Sequence, residues 1–221
     1  MLQYERNLMK PAAQIACDDR FRNLLGPQAW GVLPMRLRQR FGARAAGGET
    51  IVYAGEIIAC RRSFAGFLAS QCARLIGAPL PLSADTGVAA IVSVMEDGAG
   101  GQFWTRTYMR RRGFPQVIHS RKSFSGVTGL EEHLGFGFGV ALEVAASAEA
   151  LSFSSRFYFV AIGARRLRLP VWLTPGALHV GHSDRADGGF AFTLSLRHRW
   201  FGEILSQTGI FRERLPEGDR P

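Results

Sequence analysis

From Thr86 onward the chain is a succession of short segments in which apolar and polar residues alternate, punctuated by turn residues. This feature constrains the fold most, because a period of two belongs to strands that bury one face. Candidate strands run over 87–96, 102–112, 116–124, 127–134, 138–147, 150–161, 177–185 and 189–199, with a weaker segment at 203–213. The separators Asp97-Gly98, Gly113 to Pro115, Ser125-Gly126, Gly135 to Gly137 and Asp187-Gly188-Gly189 are turn chemistry. Connections this short join antiparallel neighbours, since a parallel pair needs a crossover of about a dozen residues or more. A sheet of so many strands curls or partly closes.

Helical signals sit ahead of the strands. Asp18-Asp19 precede a short run from Phe21 to Leu25, and Gly26-Pro27 stops that run and starts the next. Trp30, Leu33, Leu37 and Phe41 then share one helical face, which Pro34 must break into two short helices. After Ala45–Gly48 comes a β-type segment, Thr50 to Ala59, and then the clearest helix, Arg62 to Ile76. Its apolar positions Phe64, Phe67, Leu68, Cys72 and Leu75 keep the helical period and predict the buried face. The fold class is therefore α+β: a long curved antiparallel meander, a partial barrel, packed on one main helix with short N-terminal helices. Residues 1–18 are expected to form a flexible arm, 19–213 a single domain and 214–221 a tail.

The strand faces carry the functional signal. Phe190, Phe192, Leu194 and Leu196 share one side of 189–199, and Thr193, Ser195, Arg197 and Arg199 the other. Leu151, Phe153, Phe157 and Phe159 oppose serines and Arg156 on 150–161. With 16 Phe against four Tyr and four Trp, the concave side is phenylalanine-lined. Either the helix and these rings fill a plain core, or one helix is too small for the sheet and an apolar pocket remains. On 102–112, Gln102, Trp104, Arg106, Tyr108 and Arg110 alternate on one face. An arginine between aromatic rings can present its fork to an acidic head group, or the ladder can only stiffen an outer face. His119 and Arg121 share a face of 116–124 and form a second polar pair that could enter a cavity.

Composition excludes several classes. With 47% apolar and 20% charged residues the chain is not intrinsically disordered. The three cysteines suggest neither a disulfide framework nor a zinc site. No apolar stretch is long enough for a membrane-spanning helix, and Glu5, Arg6 and Lys10 interrupt the region where a signal peptide is apolar, so a cytoplasmic location is expected. The net charge is +9, and only Lys10 and Lys122 among the 27 basic residues are lysines. The arginines are scattered along the sequence, with clusters at 110–112 and 165–168 where strands meet turns, so nucleic-acid binding has no strong support.

Catalytic motifs are missing from the sequence. Ser123-Phe124-Ser125-Gly126 is not a nucleophile elbow, and Gly135-Phe136-Gly137-Phe138-Gly139 reads as a tight turn or bulge, not a dinucleotide fingerprint. His179 and His182 fall on opposite faces of a strand, which argues against a metal pair, and Glu131-Glu132-His133 reads as a solvated strand edge. No catalytic residue, metal ligand or cofactor is expected.

At Trp104-Thr105-Arg106-Thr107-Tyr108 the chain resembles the bacterial family catalogued as domain of unknown function 4166, sometimes attached to a saccharopine dehydrogenase-like Rossmann domain. Leu25-Gly26-Pro27, Leu33-Pro34, Leu37-Arg38, Gly55 and Leu75 to Pro79 resemble its opening elements. Trp104 and Arg106 match its W-x-R-x-F element, with Tyr108 in place of Phe, and Ser120 matches the serine that follows. Phe136 to Leu142, Leu151, Pro170, Pro175, Gly189-Phe190 and Gly202 match later parts, while Phe41 stands where the family often has His. The resemblance covers about residues 24–210 and implies no established activity.

The reading that follows is a non-catalytic binding domain for a hydrophobic or anionic amphipathic, lipid-like small molecule, with Trp104, Arg106, Tyr108, His119 and Arg121 as the candidate contacts. The alternatives are an enzyme or accessory subunit using Arg106, His119 or Arg121 in the same cavity, and a structural domain with a filled core.

Overall fold

A computed structural model describes residues 15–45, 49–77, 79–163 and 165–214. In chain order the elements are β1 (Ile15–Cys17), α1 (Arg20–Val32), α2 (Met35–Phe41), β2 (Ala43–Ala45), β3 (Thr50–Arg62) and α3 (Phe64–Ala73). They continue with β4 (Val88–Glu96), β5 (Gln102–Tyr108), β6 (Gln116–Ser123), β7 (Glu131–Gly135), β8 (Phe138–Ala146) and β9 (Ala150–Ile162). The last are β10 (Arg165–Arg168), β11 (Ala177–Asp184), β12 (Phe190–His198) and β13 (Gly202–Arg214). Of the arm expected over 1–18, residues 1–14 lie outside the described residues, and β1 pairs antiparallel with β2. The expected tail lies outside them as well, save Arg214 at the end of β13.

The meander closes completely. Each strand from β3 to β9 pairs with the next, β9 pairs with β11, and β13 returns to β3, so the partial barrel of the sequence reading is a closed ten-stranded barrel. The reason is β13, expected to be weak: it is one of the longest strands and hydrogen-bonds β12 on one side and β3 on the other. The four-residue β10 lies beside the end of β9, where no strand was expected. Phe136-Gly137 makes a two-residue hairpin turn with positive φ at both positions, 49° and 81°, as a right-twisted hairpin demands.

The two ends of the barrel differ. At one end α1 and α2 form a plug: Phe21, Leu33, Leu37 and Phe41 are buried against Leu130, Val140, Leu142 and Phe153. Gly26 (φ 76°) breaks α1 before Pro27, and Pro34 separates α1 from α2, as their sequence predicts. Arg20 ties the plug to the barrel through Glu96 (2.7 Å), and Arg40 through Asp184 (3.1 Å). At the other end α3 lies across the rim, capped by Ser63, whose Oγ accepts from the Gly66 amide (3.2 Å).

The orientation of α3 reverses the expectation. Gly66, Ser70 and Ala73 are its buried residues, while Phe64, Phe67, Leu68, Cys72 and Leu75 are exposed to solvent or to the barrel lumen. A Cβ at Gly66 would collide with the Ile204 carbonyl, so only the small face lets the helix backbone reach β13. The helix therefore covers the barrel mouth instead of filling its interior.

Candidate functional site

Closure decides the site. Eight strands make a barrel that side chains just fill, and ten strands enclose more room. Here the lumen is a cavity of about 1060 Å³, at the upper limit of the roughly 300–1,000 Å³ usual for small-molecule pockets. Inward positions of strands around the barrel line it: Val92 and Val94 on β4, Ile118 on β6, Val140 and Leu142 on β8, and Phe190, Phe192, Leu194 and Leu196 on β12. The apolar side of α3, through Phe64, Leu68 and Cys72, and Leu75 in the turn that follows, face the same space and form part of the mouth.

A charged cluster is set into this apolar wall. Arg106 donates to Ser120 Oγ (3.0 Å) through Nη1 and to Glu132 Oε1 (3.0 Å) through Nη2. Ser120 Oγ donates to the same Oε1 (2.6 Å), and Lys122 Nζ donates to Glu132 Oε2 (2.8 Å). The Lys122 ammonium also lies 5.1 Å from the centre of the Trp104 ring, whose Nε1 donates to Gln102 Oε1 (3.1 Å). Burial alone would raise the Glu132 pKa, but the charges of Lys122 and Arg106 hold it well below the usual carboxylate range. Burial lowers the Lys122 pKa, with Glu132 opposing the shift. The ion pairs thus set two cations against one carboxylate, a buried excess of one positive charge.

A second polar set borders the plug. His182 stands among the rings of Phe41, Phe153, Phe190 and Phe192, with centroids 5.1–6.1 Å away. Burial, reinforced by the charges of Arg40, Lys122 and Arg106, pulls its pKa down to about 3, so the imidazole is neutral. Its Nδ1, together with Arg40 Nη1 and Asp184 Oδ2, is buried with no hydrogen-bond partner among the described residues.

Of the residues singled out from the sequence, Trp104, Arg106 and Tyr108 line the cavity, and burial raises the Tyr108 pKa. His119 and Arg121 do not. Their side chains are on the outer face of β6, where His119 Nδ1 lies 3.1 Å from Thr105 Oγ1 and Arg121 pairs with Asp97 (2.5 Å). The inward positions are Gln116, Ile118, Ser120 and Lys122, because alternation puts the two sets on opposite sides. Glu131-Glu132-His133 is not a solvated edge: Glu132 sits in the charged cluster, and Glu131 is buried beneath Arg166 and His133. Two signals pointed to what was missed. Lys122 is one of only two lysines in an arginine-rich chain, and Glu132 is a carboxylate inside a barrel strand.

A model of the family described as Domain of unknown function (DUF4166) matches residues 33–211, nearly the whole barrel. The chain belongs to this family. No curated protein and no solved structure matches it significantly. Within this family member, the matched segment includes α2, every barrel strand but the end of β13, and the whole charged cluster. Among the described residues no three His, Cys, Asp or Glu side chains converge as a metal site, and no helix is long and apolar enough to cross a membrane.

Proposed function

We propose that the barrel binds one bulky amphipathic small molecule, with its hydrophobic body in the phenylalanine-lined lumen and an anionic head at Arg106 and Lys122. One observation carries this reading: a cavity of about 1060 Å³ with apolar walls encloses a cluster whose cations outnumber its carboxylates. A buried charge is costly without a partner, so the uncompensated cation favours a ligand that brings one negative charge. Arg40 Nη1 and His182 Nδ1, without a hydrogen-bond partner among the described residues, supply further donor or acceptor positions at the inner end. The volume favours more than one slender alkyl chain: a branched, ring-containing or two-chain molecule fits the size better. Phe-in and Ser/Thr/Arg-out alternation on β12 is the reverse of a membrane-spanning barrel, whose polar side faces inward.

Native mass spectrometry of the protein after gentle extraction from cells tests this directly. A retained small molecule of defined mass that organic solvent removes is the expected result. A clean apo mass, together with no uptake of fatty acids or their fluorescent analogues, refutes the binding reading. An Arg106→Ala variant that binds acidic amphiphiles as tightly as the parent refutes the anchoring role.

A further inference from the structure

Strand direction sorts the arginines by barrel end. At the plugged end most are matched: Arg20 pairs with Asp18 and Glu96, Arg40 with Asp184, Arg121 with Asp97, and Arg212 with Asp187, while Arg36 and Arg38 on α2 have no carboxylate within ion-pair distance among the described residues. At the open end, the mouth carries Arg61 at the end of β3, Arg74 after α3, the 110–112 run between β5 and β6, and Arg197 and Arg199 at the end of β12. All of these are exposed, and none is within ion-pair distance of a carboxylate among the described residues. The carboxylates on this side are Glu56, Asp85 and Glu203. Arginine without a carboxylate partner, scattered in sequence, is thus concentrated at the open end.

The same end presents a group of exposed apolar side chains. Phe64 is 76% exposed, Leu75 81%, Trp172 62%, Trp200 61% and Phe201 62%. Phe64, Leu75, Trp172 and Phe201 line the cavity mouth, so the apolar surface is continuous from the rim into the lumen. Aromatic and aliphatic residues ringed by arginine are the composition that inserts shallowly at a lipid headgroup boundary and is drawn to anionic lipid.

We propose that the open end of the barrel, from α3 to the segments around Trp172 and Trp200, docks on an anionic lipid bilayer so that the lumen exchanges its ligand with the membrane. The docking purpose rests on the cavity reading above; the docking itself does not. The charge skew selects a bilayer over a second copy of the chain, because two such arginine-rich mouths repel.

The test is co-sedimentation with phosphatidylcholine vesicles, with and without phosphatidylglycerol, alongside solution titration with a fluorescent fatty acid. Capture by the phosphatidylglycerol vesicles, weakened by salt and accompanied by a blue shift of tryptophan emission, is expected. Arg74→Gln and Arg199→Gln should each weaken capture by roughly fivefold, and Trp200→Ser should weaken it on both vesicle types, with uptake of the soluble probe unchanged. Equal capture by neutral and anionic vesicles, no capture by either, or tighter binding to duplex DNA overturns the proposal. So does a dimer that Trp200→Ser dissolves while vesicles go uncaptured. A protein that takes up the probe but ignores vesicles refutes docking alone; one that holds vesicles but excludes the probe refutes the cavity reading alone.

Discussion

Replacing Glu132 with glutamine keeps the shape of the side chain and removes the only anion paired to Arg106 and Lys122 among the described residues. Lys122 stays buried and Arg106 half-buried, and their hydrogen bonds at 2.8 and 3.0 Å lose the charge of their acceptor. Breaking a buried ion pair by removing one partner costs about 3–5 kcal/mol. In a chain of this size each kcal/mol moves the melting midpoint by about 2–4 °C, so Glu132→Gln should melt roughly 6–20 °C below the parent. Lys122→Met is the control. It leaves Arg106 and Glu132 as a neutral pair and should cost only about 1.5–3 kcal/mol, the worth of one charge-assisted hydrogen bond.

Ligand and pH sharpen the test. A fatty acid brings the missing carboxylate, so it should raise the midpoint of Glu132→Gln more than that of the parent, while the matching fatty alcohol should not discriminate between them. Because the folded pKa of Glu132 is depressed, its contribution is present above the unfolded value of about 4.3 and is lost as pH falls below it. The gap between parent and variant should therefore narrow in acid. Thermal denaturation followed by circular dichroism, at neutral pH and near pH 3, reads all of this. A variant within about 1 kcal/mol of the parent, or one less damaged than Lys122→Met, would refute the electrostatic reasoning.

Three further substitutions probe other parts of the structure. Arg106→Ala should lower affinity for a fatty acid by about tenfold or more, the effect of losing one charge-assisted contact, and change affinity for the alcohol little, as competition against a fluorescent analogue would show. His182→Phe should stabilise the empty protein by about 1–3 kcal/mol, because it removes a buried imidazole nitrogen with no described partner. The neutral His182 binds its proton more weakly folded than unfolded, so the parent loses stability as pH falls from about 6.5 toward 3. His182→Phe should lack that one-proton slope in urea titrations across the window, and an unchanged slope contradicts the assignment. Gly66→Ala raises helix propensity yet drives a Cβ into the Ile204 carbonyl; it should destabilise by about 1–3 kcal/mol, and a stabilised variant would show that α3 does not sit tightly on β13.

The strand order was legible because short turns make sequence neighbours into spatial neighbours. Barrel closure was not, because it depends on β3 pairing with β13 from the far end of the chain. Gly209, Ser206 and Gln207 blur the alternation of β13, and only its two partners show that it is a full strand. The helical period of α3 located its apolar stripe correctly. It could not say that the small stripe, Gly66, Ser70 and Ala73, would meet the barrel wall while the large one faced the lumen. β6 posed the same difficulty in sheet form. Both of its faces carry polar residues, so hydrophobicity could not choose between His119 with Arg121 and Ser120 with Lys122. The contact of Arg106 with Ser120 from the neighbouring strand settles which face is inside. Trp104, Arg106 and Tyr108 were readable because β5 alternates cleanly.

The central claim, an occupied lumen with a cationic anchor, is tested most directly by titrating the protein with a long-chain fatty acid in a calorimeter at two or more temperatures. Saturable one-to-one binding with a negative heat-capacity change is the predicted result, with the affinity lowered about tenfold or more in Arg106→Ala. No saturable heat, or binding indifferent to the anionic head, would contradict it.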